Sequence, residues 1–286
     1  MNTQFWLIQA FNGISYGALL FLVGSGLSLI FGVMRIVNLS HGSYFLLGGY
    51  VALSVIWTTG SWALALPVAA LAIAAVGLLM ERIFLRPLGF DPLRQVLLTV
   101  GFAFLFQQAA LDIWTGNNFD INPPQALTQS IVVGGLYLPL YRVFMIATAA
   151  AIGIALWLVM EKTRMGAAVR ATVDDAQMAR GVGIDTSRIS MFIFALGAFL
   201  AALGGVIGGA FLGIYPGLDF EMLPIAFAVV IIGGMGSLGG AAIGALIVGL
   251  ADNFGKALFP EVSYFTLYAP MALILAVKPT GLFGRE

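Results

Sequence analysis

The sequence contains no cysteine, a single histidine and few charged side chains. The absence of cysteine excludes disulfides, thiol catalysis and cysteine metal sites. Because the lone His41 has no second histidine and no carboxylate beside it, no metal site is expected. Charged residues make up 9% of the 286 residues and hydrophobic residues 60%, whereas an average soluble domain carries about 25% charged residues. Together with a mean hydropathy of +1.01, this composition predicts a polytopic membrane protein.

Basic and acidic residues balance at thirteen each, so the charge gives no indication of a nucleic-acid partner. The nearest approach to a phosphate-binding loop is GLADNFGKA, from Gly249, but it has five residues between its glycines and an alanine after Lys256. Any ATP hydrolysis must therefore come from another chain. Ionisable residues are expected to be absent from the interiors of the spans, which disfavours two alternatives, an ion-coupled secondary transporter and an intramembrane enzyme.

Most of the basic residues gather in three segments, which are 81–94, 161–188 and a tail that holds Lys278 and Arg285. By the positive-inside rule these segments are expected on the cytoplasmic side. Segments 112–142 and 252–261 hold one basic residue each and are expected outside. The N-terminal stretch MNTQFWLIQAF lacks the positive region and the cleavage site of a secretory signal, so the first apolar run is expected to stay in the protein.

Several apolar runs are too long for the roughly 20 residues that one membrane helix needs. Residues 36–80 must contain a turn, which the glycine between Trp57 and Trp62 predicts. Three apolar blocks lie between the basic segment and the tail, although two cytoplasmic ends require an even number of crossings. Residues 222–251 are therefore expected to be interrupted at the glycine-rich IIGGMGSLGG, and MRIVNLSHG is expected to interrupt the first half of the chain in the same way.

The two interruptions resemble each other in kind, since each runs from an apolar helix through a polar or glycine break into a glycine-studded helix. This likeness predicts an internal repeat, and paired interrupted segments at corresponding positions point to a transport path at the repeat interface. The expected fold is an all-α polytopic membrane protein, with a single domain over residues 1–286. It is expected to have about eight membrane segments, two of them broken or re-entrant.

Polar side chains are concentrated at the first interruption, next to Arg35. They suit an interfacial loop that caps helix ends, and they equally suit a break that lines or gates the pathway. Both interpretations stay open from the residues alone. The candidate pathway residues are Asn38, Ser40, His41 and Gly42 at the first interruption and Gly233, Gly234 and Gly236 at the second.

The basic segment 161–188 has the composition of a short cytoplasmic helix. Thr172 is expected to cap a turn near Asp175, and Gly181 and Gly183 are expected to end the helix. Such an element is either an ordinary connector or a docking element through which a cytoplasmic partner transmits a rigid-body push.

The stretch GVMRIVNLSHGSYFLLGGYVA resembles the N-terminal signature of the permease subunits of branched-chain amino acid ABC importers, and QMARGVGI resembles their cytoplasmic coupling loop. The resemblance continues through IIGGMGSLGGAAIGALIV and the terminal KPTGLFG, and it covers nearly the whole chain. The family's loop usually reads Glu-Ala-Ala, three residues, then Gly, so this chain lacks the glutamate and the first alanine. The resemblance implies that the coupling loop over about 161–188 contacts an ATPase through Asp175, Gln177, Met178, Ala179, Arg180 and Gly183.

The resemblance implies a permease of the bacterial inner membrane with no catalytic centre and no cofactor of its own. Its implied partners are two cytoplasmic ABC ATPases that bind ATP and magnesium, a second homologous permease subunit, an external solute-binding protein, membrane lipid and a small-molecule substrate. The implied cargo is branched-chain amino acid. Other amino acids, urea and short amides stay open as alternatives, because selectivity in such systems resides largely in the binding protein.

Overall fold

The computed structural model describes residues 3–89 and 91–284, which form a helical bundle. Eleven α-helices and one two-stranded hairpin occur in this described part of the chain. The helices are α1 Thr3–Met34, α2 His41–Thr59, α3 Trp62–Met80, α4 Pro92–Trp114, α5 Leu140–Lys162, α6 Arg164–Asp174, α7 Ala176–Gly181, α8 Thr186–Leu212, α9 Leu218–Gly233, α10 Leu238–Leu258 and α11 Ser263–Val277. The hairpin strands are β1 Ser130–Val133 and β2 Leu136–Pro139, paired antiparallel. The expected all-α class is confirmed, with the hairpin as a small addition.

Within the described residues, six helical segments are long and apolar enough to cross a membrane. They are α1, α3 with its continuation to Leu88, α4, α5, α8 and α10. Helices α2, α9 and α11 are also apolar but fall short of the same criterion in length or in hydropathy. The polytopic architecture is therefore confirmed, while the expected number of about eight spans stays a prediction.

Helices α1 and α8 form the centre of the bundle. In the most apolar stretch of each, 72% of the residues are buried, against 17% in α4 and 22% in α5. Helix α1 packs on α5, α8, α9 and α10, and α8 packs in addition on α2 and α3. Helices α4 and α5 lie at the periphery, where their exposed apolar side chains suit contact with lipid.

Glycine allows the central helices to approach one another closely. A Cβ atom added to Gly205 of α8 would collide with the carbonyl oxygen of Phe45 in α2. A Cβ on Gly26 of α1 would lie 2.6 Å from the carbonyl oxygen of Gly197 in α8. Because these neighbours are backbone atoms, no rotamer change can make room, and helix contact at this distance requires a residue without a side chain.

The expected turn and both expected interruptions are present. Gly60, with φ of +68°, joins α2 to α3 at the predicted turn. Residues 35–40 separate α1 from α2, and residues 234–237 separate α9 from α10. Four helices, α8 to α11, therefore lie between the basic segment and the tail, which is the even number that the orientation argument requires.

The C-terminal tail is attached to the end of α9. The backbone N–H of Leu282 donates to the carbonyl oxygen of Ile232 at 2.9 Å, and that of Phe283 donates to Gly233 at 2.9 Å. These bonds satisfy carbonyl groups that the end of a helix leaves without partners. The tail and the second interruption therefore lie on the same side of the bundle. Arg285, expected with Lys278 in this tail, lies outside the described residues.

The connections after α4 and after α8 meet at the opposite end. Phe119 and Ile214 form an isolated antiparallel bridge, with N–H to carbonyl distances of 2.8 and 2.7 Å. Segment 112–142 therefore lies at the end of the bundle away from the C-terminal tail, as expected if the two are on opposite sides of the membrane. Which side faces the cytoplasm stays a prediction of the basic-residue pattern.

Candidate functional site

The first interruption folds back into the bundle. Arg35 has φ of +54°, in the left-handed region, at the point where the chain leaves α1. His41, the first residue of α2, places Nε2 3.0 Å from the carbonyl oxygen of Val23. Val23 precedes the end of α1 at Met34 by about 16 Å, at 1.5 Å per residue. Helix α2 therefore begins deep within the thickness that α1 spans, and residues 35–40 form the predicted re-entrant segment.

Asn38 and Ser40 hold this segment in shape. The Asn38 Oδ1 atom accepts from the Ser40 N–H at 3.1 Å and from the Ser40 hydroxyl at 2.7 Å, which is an Asx-type turn before α2. The N–H of Leu39 donates to Thr99 Oγ1 of α4 at 3.2 Å. Asn38, Ser40 and His41 are fully buried, and the Asn38 Nδ2 and His41 Nδ1 atoms have no hydrogen-bond partner. The segment is thus a buried polar element between α1 and α4.

Helix α9 begins beside the start of α2. The Ser43 hydroxyl donates to Asp219 Oδ2 at 3.1 Å, while Asp219 Oδ1 is buried without a partner. A Cβ atom on Gly42 would collide with the backbone oxygen of Asp219, so this approach depends on glycine. Asp219 is only 2% exposed, so this carboxylate is enclosed by the bundle. Asp219 lies in the first turn of α9, where the helix dipole favours a carboxylate.

The second interruption is a tight turn between the antiparallel helices α9 and α10. Gly234 and Gly236 have φ of +98° and +82°, which favour glycine. The Ser237 hydroxyl caps α10 by accepting from the N–H of Gly240 at 3.0 Å. Gly233 faces the Gly240 carbonyl so closely that a Cβ atom would collide with it. Helix α10 has 21 residues and is itself long enough to span, so this break is a hairpin turn between α9 and a full-length helix.

The two interruptions are linked through α1. The Ser28 hydroxyl of α1 donates to the Ser237 carbonyl oxygen at 3.3 Å, and Gly32 packs on Gly236. Among the described residues, no hydrogen bond joins the candidate residues of the first interruption directly to those of the second. The side chains of the first group are enclosed by the bundle, and their place on a pathway stays a prediction.

A double-mutant cycle at the first interruption measures what holds the re-entrant segment. Asn38→Leu removes the acceptor of the Ser40 N–H and the nearest acceptor of the Ser40 hydroxyl, which keeps longer contacts with Tyr44 Oη at 3.4 Å and Met80 Sδ at 3.7 Å. Each buried group left unpaired costs about 1–3 kcal/mol. Ser40→Ala removes one of those groups, so the double variant is expected to lose less stability than the two single variants added together. The apparent unfolding midpoints of the purified variants check this, and additive losses would contradict the assigned hydrogen bonds.

The basic segment 161–188 contains two short helices, α6 and α7, with Asp175 between them. Asp175 Oδ1 accepts from the N–H groups of Gln177 at 2.8 Å and Met178 at 2.9 Å. The prediction that Thr172 caps this turn is wrong, because the Thr172 hydroxyl donates within α6 to the Ala168 carbonyl at 2.8 Å. The carboxylate takes the cap because Asp175 has the extended backbone of an N-cap residue, whereas Thr172 is inside a helix.

Helix α7 presents apolar side chains on its outer face. Met178 is 66% exposed and Val182, four residues on, is 71% exposed, whereas Ala179 is buried. Arg180 Nε donates to Thr186 Oγ1 at 2.7 Å and ties α7 to the start of α8. Gly183, with φ of +89°, ends the helix as predicted. The exposure of Val182 is not predictable from the sequence, because a lone valine between Gly181 and Gly183 gives no indication of it.

The described part of the chain is thus an apolar helical bundle with two interrupted helical pairs and a pair of short helices, α6 and α7, between α5 and α8. The family model described as the permease component of the branched-chain amino acid transport system matches residues 9–275. The chain therefore belongs to this family.

Full-length relatives agree with that assignment. The chain is 32% identical to the high-affinity branched-chain amino acid transport system permease protein LivH of Escherichia coli strain K12, over 100% of this chain and 98% of LivH. It is 28% identical to the corresponding protein BraD of Pseudomonas aeruginosa, over 98% of this chain and 96% of BraD. It is also 27% identical to the autoinducer 2 import system permease protein LsrC of Escherichia coli strain K12 / DH10B, over 88% of this chain and 73% of LsrC.

Membership of the family decides the general role of the chain. The protein is a permease subunit rather than an enzyme, and permeases of this family need no cofactor of their own. The six apolar helical segments among the described residues, together with its relatives, make it a multi-pass protein of the bacterial inner membrane. As one component of a transport system, it works with ATPase and binding-protein partners.

Proposed function

We propose that this chain is a permease subunit of an ATP-driven importer of branched-chain amino acids. Two cytoplasmic ATPases that bind ATP and magnesium drive the transport, a second homologous permease completes the membrane part, and an external solute-binding protein delivers the substrate. The similarity to LivH and BraD over almost the whole of both chains supports this cargo. LsrC, whose name gives autoinducer 2 as its cargo, is less similar and is covered over a smaller share of its length.

The exposed apolar face of α7 is the observation that carries the partnership with an ATPase. Met178 and Val182 lie on the expected cytoplasmic side, outside the lipid-facing part of the bundle, and the chain itself does not cover them. Burying a side chain of this size in a partner's groove contributes about 1.5–3 kcal/mol. Because the Arg180 side chain ties α7 to the start of α8, a push on α7 is transmitted to the end of that membrane helix. Residues Gln177, Ala179 and Gly183 complete this coupling element.

The pathway is proposed to run beside the two interruptions. Three observations support this place: the re-entrant segment, the unpartnered polar atoms of Asn38 and His41, and the buried carboxylate of Asp219. Irregular backbone and unpaired polar groups at membrane depth are tolerated where protein or a water-filled cavity can satisfy them. The remaining candidates, Ser40, Gly42, Gly233, Gly234 and Gly236, form and pack these two interruptions.

Uptake by the reconstituted importer tests the cargo. Proteoliposomes that contain this permease, its partner permease and both ATPases are expected to accumulate labelled L-leucine when ATP and the solute-binding protein are present. Unlabelled L-isoleucine and L-valine are expected to compete, because they share the aliphatic side chain and the zwitterionic backbone. Urea and acetamide serve as matched competitors that lack both features.

The alternatives give different results in the same assay. Accumulation of labelled urea or acetamide without accumulation of L-leucine would assign the chain to the amide-transporting members of the class. Uptake that continues without ATP and follows an ion gradient would overturn the ATPase partnership.

A further inference from the structure

A cleft opens on the expected cytoplasmic side, between the end of α1 and the α6–α7 pair. The turn after α3 and the first residues of α4 and α8 complete its walls. Its apolar wall comes from Val33, Met34, Ile36 and Leu85. Its hydroxyl groups come from Thr172, Thr186, Ser187 and Ser190. The cleft therefore joins the first interruption to the coupling element and has both an apolar and a polar side.

Glu81 lines this cleft with an unpaired carboxylate oxygen. The residue is 2% exposed, and its Oε2 atom is buried without a hydrogen-bond partner. Glu81 begins a π-helical turn, Glu81–Leu85, that continues α3, and such turns occur frequently at functional sites. Leaving a buried acceptor unpaired costs about 1–3 kcal/mol, and more for a charged group. A ligand that donates hydrogen bonds would remove this cost.

Arg86 supplies a positive charge to the same cleft. It follows the π-helical turn directly, and its side chain is exposed. The ion pairs of the described residues do not include one between Glu81 and Arg86. The cleft therefore offers one carboxylate, that of Glu81, and two guanidinium groups, those of Arg86 and Arg180, beside an aliphatic wall.

We propose that this cleft is an exit-side binding site for the transported amino acid. Glu81 accepts hydrogen bonds from the ammonium group, Arg86 donates to the carboxylate in the planar geometry that guanidinium favours, and the apolar wall contacts the aliphatic side chain. This site rests on the proposed function, since it takes the cargo proposed above. It adds a place on the cytoplasmic side where this chain itself, rather than the external binding protein, recognises the substrate.

Binding of labelled L-leucine to the purified complex of permeases and ATPases, without the solute-binding protein, tests the site. Glu81→Gln keeps the shape of the side chain and removes its charge, and it is expected to weaken binding by at least about tenfold, because hydrogen bonds to charged groups contribute about 1.5–3 kcal/mol. The matched control is Glu161→Gln, which neutralises an exposed carboxylate outside the cleft and is expected to leave binding unchanged. Equal binding by the unaltered and Glu81→Gln complexes would overturn the proposal.

Two leucine analogues test the roles of Glu81 and Arg86 separately. Their binding is measured with the unaltered complex as well as with the variants. 4-Methylpentanoate lacks the amine, and 3-methylbutylamine lacks the carboxylate, so each is expected to bind at least about tenfold more weakly than L-leucine, which is about 1.4 kcal/mol. Glu81→Gln should not weaken 4-methylpentanoate further, and Arg86→Gln should not weaken 3-methylbutylamine further. If the Glu81→Gln complex fails to assemble, analogues that bind as well as L-leucine to the unaltered complex still refute the site. Binding-protein-dependent uptake of L-leucine, measured alongside, shows whether the proposed function itself stands.

Discussion

Aspartate at both Met178 and Val182 is expected to abolish uptake while the permease still accumulates in the membrane. These side chains are 66% and 71% exposed, so replacing them removes almost no packing within the chain. In the proposed complex they fill an apolar groove of an ATPase, where each contributes about 2 kcal/mol. Losing both, and burying two carboxylates instead, weakens the contact by at least about 100-fold. ATP-dependent uptake and substrate-stimulated ATP hydrolysis, measured in proteoliposomes of known subunit content, check the result.

The matched control keeps the apolar chemistry at the same two positions. Met178→Leu with Val182→Ile preserves helix α7 and its outer face, and this variant is expected to transport at nearly the normal rate. Gln177→Glu, which restores the glutamate usual in the family's loop, is also expected to be tolerated because position 177 is exposed. Normal uptake by the aspartate variant would show that α6 and α7 are only a connector.

The sequence was sufficient to predict the features that depend on glycine at a turn and on the number of membrane crossings. A glycine between two tryptophans marked the turn at Gly60, and Gly183 marked the end of α7. Crossing parity required an interruption in residues 222–251, and glycine density located it. These predictions succeed because each depends on a constraint that the sequence shows directly. A glycine at positive φ is required by a single turn, and the length of a membrane helix limits a whole apolar block.

The β-hairpin is a feature that the local sequence around its turn predicts. Gly134 and Gly135 separate the two strands, and both have positive φ, as a two-residue hairpin turn requires. A pair of glycines between short runs of β-branched and aromatic residues predicts such a hairpin. The preceding Asn- and Pro-rich stretch is typical of a surface loop, which makes the hairpin after it harder to recognise.

The buried polar contacts depend on residues that are far apart in the chain. The Ser43 hydroxyl meets Asp219 across 176 positions, and the Leu39 N–H meets Thr99 across 60. No window of hydropathy contains both partners of either contact, so the apolar pattern gives no indication of them. Glu81 likewise ended an apolar run in the sequence, and only the π-helical turn shows that its side chain faces inward. The parts of the candidate site that determine its chemistry therefore required the fold.

Gly205→Ala is expected to prevent the permease from folding, although alanine normally stabilises a helix. Replacing glycine by alanine inside a helix gains about 1 kcal/mol from backbone entropy. At Gly205, however, the added methyl group would collide with the Phe45 carbonyl oxygen and would lie 2.8 Å from the Phe45 carbonyl carbon and 3.0 Å from the Gly49 nitrogen. All three atoms belong to the backbone of α2, so helices α2 and α8 must separate. Separation breaks the close contact between α2 and α8, at a cost of about 3 kcal/mol or more.

Gly101→Ala is the matched control, because Gly101 lies within the peripheral helix α4 and a Cβ atom there meets nothing within 4 Å. The same substitution is therefore expected to change stability in opposite directions at the two sites, with a raised unfolding midpoint at Gly101 and little or no folded protein at Gly205. Size-exclusion profiles and thermal unfolding of the two variants, expressed in parallel, measure both effects. A Gly205→Ala permease as stable as the unaltered protein would show that α2 and α8 pack less closely than described.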